Sequence, residues 1–166
     1  MKKNLQEKFN QLKLDKNPQQ RGYEFEKLLF ELLEYENLSP SPSYRVQGEQ
    51  IEGFFEFENR FFLLEAKWRK SVSVSEVYRF RAKVEGKLAG TLGVFISMTG
   101  YTADVATVLR YGKELNVILF NRKDMEFALA DNCSFGTVLK TKLRRAAQYG
   151  DVYYPYGTHF TLKRAR

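Results

Sequence analysis

The sequence predicts an α/β domain in which a mixed sheet of about five strands lies between layers of helices. Three patterns predict it: a pair of aromatic-rich strands within residues 50–70, two short apolar runs at 91–97 and 117–120, and amphipathic stretches around them. The order of these elements implies a sheet with both antiparallel and parallel neighbours. With 166 residues, the chain is long enough to bury the core of one compact domain.

Two amphipathic helices open the chain. The first covers residues 1–14 and ends at Asn17-Pro18, and the second covers residues 21–36. Glu26 lies at the margin of the apolar stripe of the second helix, where its side chain either points along the sheet or is solvated. The inward positions are Leu5, Phe9 and Leu12 in the first helix, and Phe25, Leu28, Leu29, Leu32 and Leu33 in the second.

Residues 50–70 predict a β-hairpin with a tight turn at Asn59-Arg60, because aromatic and branched residues flank a turn-type residue. This turn would place Glu52 opposite Lys67 and Phe54 opposite Glu65. Side chains alternate between the two faces of a strand, and this register leaves one face without polar side chains. The apolar face would carry Ile51, Gly53, Phe55, Phe57, Phe62, Leu64, Ala66 and Trp68; the other would carry Glu52, Phe54, Glu56, Glu58, Phe61, Leu63, Glu65 and Lys67.

Three charged residues on the second face form a candidate site: Glu52, Glu65 and Lys67. Two carboxylates within reach of one point are oxygen ligands suited to Mg²⁺ or Mn²⁺. A neighbouring ammonium could orient an attacking water or offset charge that builds on a phosphate. The alternative is a solvated sheet face on which Glu and Lys pair across strands, which is the commoner meaning of an isolated Glu-x-Lys.

The second half of the chain predicts three helices around the two apolar strands. Ser75 is placed to cap a helix over residues 76–88, and further helices cover 102–115 and 134–148. Basic side chains lie on the outer sides of the first and last of these helices, where they either contact a phosphate backbone or are solvated. They are Arg79, Lys83 and Lys87 in the first, and Lys140, Lys142, Arg144 and Arg145 in the last.

The charge of the chain is +7 with a pI near 9.4, and most of the excess is C-terminal. A concentrated basic segment is typical of phosphate-backbone binding and equally of a solubilising tail. The single Cys133 excludes an internal disulfide and a cysteine-cluster zinc site, and the lone His159 argues against a histidine-based metal site. No apolar run approaches membrane-spanning length and no signal peptide is visible, so we expect a cytoplasmic protein without a membrane partner.

Three segments occur in an order found in a known superfamily. The hairpin reads Ile51-Glu52-Gly53 before its turn and Leu64-Glu65-Ala66-Lys67-Trp68 after it. The preceding helix opens with Arg21-Gly22-Tyr23-Glu24-Phe25-Glu26, and a later strand and turn read Val94-Phe95-Ile96-Ser97-Met98-Thr99-Gly100-Tyr101. In order and spacing these segments resemble the PD-(D/E)xK nuclease superfamily, most closely its Mrr-like restriction endonuclease branch.

This resemblance implies a restriction-endonuclease-like three-layer α/β/α fold and metal-dependent endonuclease activity on DNA, in restriction or defence against foreign DNA. It implies that Glu52 and Glu65 bind Mg²⁺ or Mn²⁺, with the Ala66 carbonyl as a third ligand. Lys67 would orient the attacking water, and Glu26 would assist metal or water positioning. Nucleic-acid contacts are expected from Arg79, Lys83, Lys140, Arg144 and Arg145.

We expect one nuclease-like domain with three parts: an N-terminal helical arm at 1–20, a catalytic core at 21–130, and a basic C-terminal helix and tail at 131–166. Acting on both strands of double-stranded DNA would favour a homodimer. Recognition of a defined sequence would need a partner protein, because the sequence contains no visible reading element.

Two features depart from the family pattern. The family usually has Asp where this chain has Glu52, and the Gln-x-x-x-Tyr motif that often follows the catalytic lysine is missing. Glu is one methylene longer, and a displacement of about 1 Å can cost roughly a hundredfold in rate. The alternative function is therefore a catalytically weak or inactive nuclease-fold module that binds nucleic acid or assembles with a partner. An RNA-directed nuclease would differ only in its substrate.

Overall fold

The computed structural model describes residues 1–109 and 114–157, which are organised around two sheets. The first is a small antiparallel hairpin of β1 (Tyr44–Val46) and β2 (Glu49–Ile51). The main sheet has the order β3-β4-β5-β6, with β3 antiparallel to β4 and the other neighbours parallel. Its strands are β3 (Gly53–Phe57), β4 (Arg60–Lys67), β5 (Leu92–Ser97) and β6 (Val117–Asn121).

The predicted mixed sheet is confirmed, but in the described residues it has four strands rather than about five. The outer edge of β3 is covered by an irregular segment instead. Ser41 exchanges two backbone hydrogen bonds with Phe54 (2.9 and 3.4 Å), and the Glu56 N–H donates to the Leu38 carbonyl (2.8 Å). This segment does not continue as a strand, because the prolines on either side of Ser41 have no N–H to donate to a ladder.

Six helices occur in the described ranges: α1 (Lys2–Leu12), α2 (Pro18–Tyr35), α3 (Val74–Glu85), α4 (Val105–Val108), α5 (Arg122–Leu129) and α6 (Phe135–Tyr149). The helix predicted over 102–115 is only α4 as far as residue 109, and part of its predicted range lies outside the described residues. None of the described helices has the length and apolar character needed to cross a membrane.

Two helix starts differ from the prediction. Asn17 begins α2 rather than ending the first helix: its Oδ1 accepts hydrogen bonds from the amides of Gln19 (3.1 Å) and Gln20 (3.2 Å), with proline in the first turn. Ser73, not Ser75, caps α3. Glu76 lies three residues after Ser73, and its Oε2 accepts the Ser73 N–H (2.9 Å), which completes a reciprocal cap.

Helices lie on both faces of the main sheet. On one face Phe80 of α3 packs edge-on against Phe95 of β5 (5.5 Å between ring centroids). On the other face Phe135 of α6 packs against Phe55 of β3 (5.6 Å) and Phe120 of β6 (5.2 Å). The apolar stripe predicted for α2 is confirmed as fully buried.

The N-terminal helix α1 is docked through its predicted stripe of Leu5, Phe9 and Leu12, all buried. The Phe9 ring lies 6.4 Å from that of Phe25 and 5.9 Å from that of Trp68. The proposed division of the chain at residues 20 and 130 remains a prediction.

The turn between β3 and β4 lies one residue earlier than predicted, at Glu58-Asn59 (φ 47° and 61°). Phe54 therefore pairs with Leu63 rather than with Glu65. A two-residue hairpin loop needs positive φ at both positions, which Asn tolerates more readily than Arg. Because each pairing moves by two residues, the predicted membership of the two faces is unchanged.

Candidate active site

The three residues of the candidate site come from two neighbouring pieces of chain. Glu65 and Lys67 are two apart on β4 and therefore point to the same face. Glu52 lies in the single residue between β2 and β3, where the chain leaves one sheet for the other. The predicted pairing of Glu52 with Lys67 across the hairpin is wrong, because the β3–β4 ladder begins at Gly53. The Glu52 side chain nevertheless reaches the Lys67 ammonium.

The Lys67 ammonium is the centre of the site. Its Nζ lies 2.5 Å from Oε1 of Glu52 and 3.5 Å from Oε1 of Glu65. The Ala66 N–H donates to the second oxygen of Glu52 (2.8 Å), so both oxygens of that carboxylate are held. The side chains are only 11–18% exposed, which strengthens these interactions relative to surface ion pairs.

Lys83 of α3 is a fourth member of the site. Its Nζ lies 3.0 Å from Oε2 of Glu65 and donates to the Gln50 carbonyl at 3.0 Å. Lys83 was expected to contact nucleic acid from an outer helix face, but its ammonium is paired with the Glu65 carboxylate instead. No local sequence signal indicates this contact, because the two residues are brought together only by the packing of α3 on β5.

The charges within the site shift two pKa values. Burial alone would lower the pKa of Lys67. The negative charges of Glu52 and Glu65 and the hydrogen bond to Glu52 outweigh burial and raise this pKa above the ordinary lysine value. Lys67 is therefore a cation at neutral pH and not a base. Burial and the nearby Glu52 raise the pKa of Glu26, with Glu65 adding to the effect and Lys67 opposing it. Glu26 is thus close enough to interact electrostatically with all three predicted residues.

Glu26 also lies between two cavities. A cavity of about 290 Å³ is lined by Glu26 and Glu52 together with apolar side chains from α2 and β4. A larger one, of about 740 Å³, is lined by Glu26, Lys67 and Arg69 together with the first turn of α2. Glu52 therefore lines the smaller cavity and Lys67 the larger one, whereas Glu65 lines neither.

The fit of a divalent cation can be judged from these donors. Glu52 and Glu65 provide oxygen ligands, and the Lys67 ammonium already provides a positive centre between them. Mg²⁺ commonly uses one or two carboxylates and keeps its remaining waters. Within residues 1–109 and 114–157 no group of three or more His, Cys, Asp or Glu side chains is arranged to hold a metal. The two carboxylates match the few protein ligands that a hard cation uses, but a bound ion would compete with the ammonium and amide partners that their oxygens already have. The described residues do not form an all-protein metal cage.

The residues predicted to contact nucleic acid do not form one surface. Arg79 and Lys83 belong to α3, and the other three belong to α6 on the opposite face of the sheet. Arg79 and Arg144 are exposed. Lys140 pairs with Glu58 at 2.6 Å, and the Arg145 guanidinium lies 4.1 Å from the ring centroid of Tyr149.

Lys142 was predicted to point outward with the other basic residues of the last helix, and this is wrong. Its side chain is completely buried, and its Nζ lies 2.8 Å from Asp124 Oδ2. The predicted basic tail beyond residue 157, including His159, lies outside the described residues.

No family model and no curated protein matches the chain. Two solved structures resemble it. The first, described as protein of unknown function AF1548, is 13% identical with a TM-score of 0.49, over 70% of this chain and 64% of that one. The second, MspJI restriction endonuclease in complex with a 27-mer oligonucleotide, is 16% identical with a TM-score of 0.40, over 78% of this chain and 33% of that one. The chain thus matches less than two thirds of either structure, and neither assigns a role to its residues.

Proposed function

We propose that this chain is a metal-dependent endonuclease of restriction-endonuclease-like fold that hydrolyses phosphodiester bonds of DNA. The observation that carries the proposal is the contact of one ammonium, that of Lys67, with the carboxylates of both Glu52 and Glu65. A cation and two hard oxygen ligands at one point are groups that can support metal-assisted phosphodiester hydrolysis. The two cavities give a substrate access to Glu52 and Lys67.

Glu52 and Glu65 would hold Mg²⁺ or Mn²⁺, and the Ala66 carbonyl would add an oxygen ligand. Once bound, the ion would supply Lewis-acid activation of the phosphate and of a water molecule. The Ala66 N–H fixes the orientation of the Glu52 carboxylate. Lys67, kept protonated by its two carboxylate neighbours, would offset the charge that develops on the attacked phosphate. Glu26, which lies on α2 rather than on the hairpin, would help to position the attacking water.

The net charge of +7 and the exposed arginines on α3 and α6 favour a polyanionic substrate, which we propose is double-stranded DNA. A homodimer would bring two sites to the two strands of a duplex. Restriction or defence against foreign DNA in the cytoplasm would be the setting, with a partner protein supplying any sequence specificity.

The activity is tested by cleavage of supercoiled plasmid DNA with the purified protein and Mg²⁺ or Mn²⁺. We expect nicking by the wild type and its loss in Glu65→Gln, which preserves shape but removes the charge. Glu56→Gln is the matched control, because Glu56 is an exposed glutamate on the neighbouring strand β3. Cleavage that persists in Glu65→Gln, or that is lost equally in Glu56→Gln, would contradict the assignment.

A second candidate, a nuclease-fold module that binds nucleic acid without cutting it, is favoured by a different observation. Both site carboxylates are already neutralised, Glu52 by Lys67 and Glu65 by Lys83. A metal would have to compete with these ammonium groups. Salt-dependent DNA binding without cleavage in the wild type, with cleavage gained in Glu52→Asp, would support this module and show that the longer carboxylate has displaced the metal ligand.

A further inference from the structure

The smaller cavity beside the candidate site is mainly apolar, and its lining also includes the charged side chains of Glu26, Lys27, Glu31 and Glu52. Phe30 and Leu33 of α2 face Leu64 of β4 across it, and Pro42 closes another side. Its volume of about 290 Å³ is near the lower limit of roughly 300 Å³ for small-molecule pockets. A cavity of this size and lining suits one planar ring system rather than an extended chain.

The larger cavity on the other side of Glu26 has a different chemistry. Gln19, Gln20, Lys67 and Arg69 give it a polar and basic lining. The cavity also lies at the N-terminal end of α2, which is the positive end of the helix dipole, although the Gln19 and Gln20 amides there are already bonded to Asn17. This cavity therefore suits a phosphate, whereas the smaller one suits an uncharged ring.

Tyr23 and Glu26 are the two residues that line both cavities. Tyr23 is 56% exposed, so its ring is available to a ligand that passes from one cavity to the other. The Lys27 ammonium lies over one face of this ring, 4.2 Å from its centroid, so a ligand would stack on the other face. A ligand with a phosphate at one end and a flat ring at the other would place its connecting sugar beside Tyr23.

We propose that the smaller cavity receives one unpaired nucleobase of the strand whose phosphate lies against Lys67, and that the base stacks on Tyr23. The inference rests on the proposed function and adds to it a preference for a nucleotide that is outside the double helix. A base–aromatic stack needs no particular base, since every base has a π-face. The Glu26 carboxylate, at the boundary of the cavity, can accept a hydrogen bond from the exocyclic amino group of cytosine or adenine.

The test is a binding measurement on the full chain in EDTA, where metal-dependent cleavage cannot occur. The probe is a short single-stranded oligonucleotide with one 2-aminopurine, and the same strand carrying an abasic nucleotide and the corresponding duplex are competitors. We expect quenched fluorescence on binding, and a loss of affinity on the order of tenfold in Tyr23→Ala. Tyr35→Ala is the matched control, because Tyr35 is exposed on the same helix and lines neither cavity.

The inference predicts that the abasic strand and the fully paired duplex each bind wild type and Tyr23→Ala equally, because neither places a base in the cavity. Equal affinity of the intact strand for wild type and Tyr23→Ala, without quenching, would overturn the base-binding cavity. Plasmid cleavage by the same preparations tests the nuclease separately. If the wild type cleaves but Tyr23→Ala binds the strand as tightly as wild type, only the proposed base-binding cavity is rejected. Inactivity together with no binding of any strand rejects both proposals.

Discussion

Lys67→Ala is expected to lower the rate of cleavage by about two to three orders of magnitude while leaving DNA affinity nearly unchanged. Loss of one preorganised charged or hydrogen-bonding group that acts on the transition state has an effect of this size. Lys67 is protonated in the folded protein, since Glu52 and Glu65 raise its pKa, so its contribution is a positive charge rather than proton abstraction. The measurement is the single-turnover cleavage rate beside the dissociation constant for the same DNA.

The control for this variant is Lys70→Ala, three residues further along the chain and exposed. It removes a lysine of the same charge without touching the carboxylates, so cleavage should be retained. Equal losses of cleavage and binding in Lys67→Ala would show that Lys67 maintains the structure of the site. Full activity in Lys67→Ala would exclude it from the reaction.

Lys142→Met is expected to destabilise the fold by about 3–5 kcal/mol, because it leaves a buried carboxylate without its charged partner. Lys142 and Asp124 are both completely inaccessible and 2.8 Å apart. The Lys142 ammonium also donates to the Tyr154 carbonyl (2.6 Å), and Asp124 Oδ1 accepts the Tyr156 N–H (3.0 Å). Through these hydrogen bonds the pair holds residues 154–156, which follow α6, against α5 and α6.

Urea denaturation of Lys140→Met provides the matched comparison. Lys140 is on the same helix and is also ion-paired, with Glu58 at 2.6 Å, but its side chain is 66% exposed. Surface pairs contribute up to about 1 kcal/mol, so this variant should remain close to wild type. Equal midpoints for the two variants would show that the buried pair has no special role in stability.

Hydrophobic periodicity was sufficient to predict which residues face the core. The stripes of α1 and α2 follow the helical period, and the two faces of the β3–β4 hairpin follow the strand period. The hairpin register was wrong by two residues, yet Glu65 and Lys67 still share a face, since alternation depends on position along β4 alone. The central cluster of the site was therefore predictable without the correct turn.

Most of the contacts that were not predicted join residues far apart in the sequence. Neither the partner of Lys83 on β4 nor the burial of Lys142 follows from a helical pattern, because both depend on which element packs opposite. The helix α5 was not predicted either, although the sequence contains a local signal for its start. Asn121 and Asp124 form a reciprocal cap in which each side chain accepts the other residue's amide, and their three-residue spacing is visible in the sequence.

Binding of Mn²⁺ by Glu65 is the most direct test of the proposed site, and it is measured as the melting temperature during a Mn²⁺ titration. A ligand at a hundred times its dissociation constant stabilises the folded state by about 2.7 kcal/mol, which is roughly 5–10 °C for a chain of this length. We expect this rise in wild type and in Glu56→Gln, and its loss in Glu65→Gln. No rise in the wild type, or the same rise in Glu65→Gln, would contradict a metal site between Glu52 and Glu65.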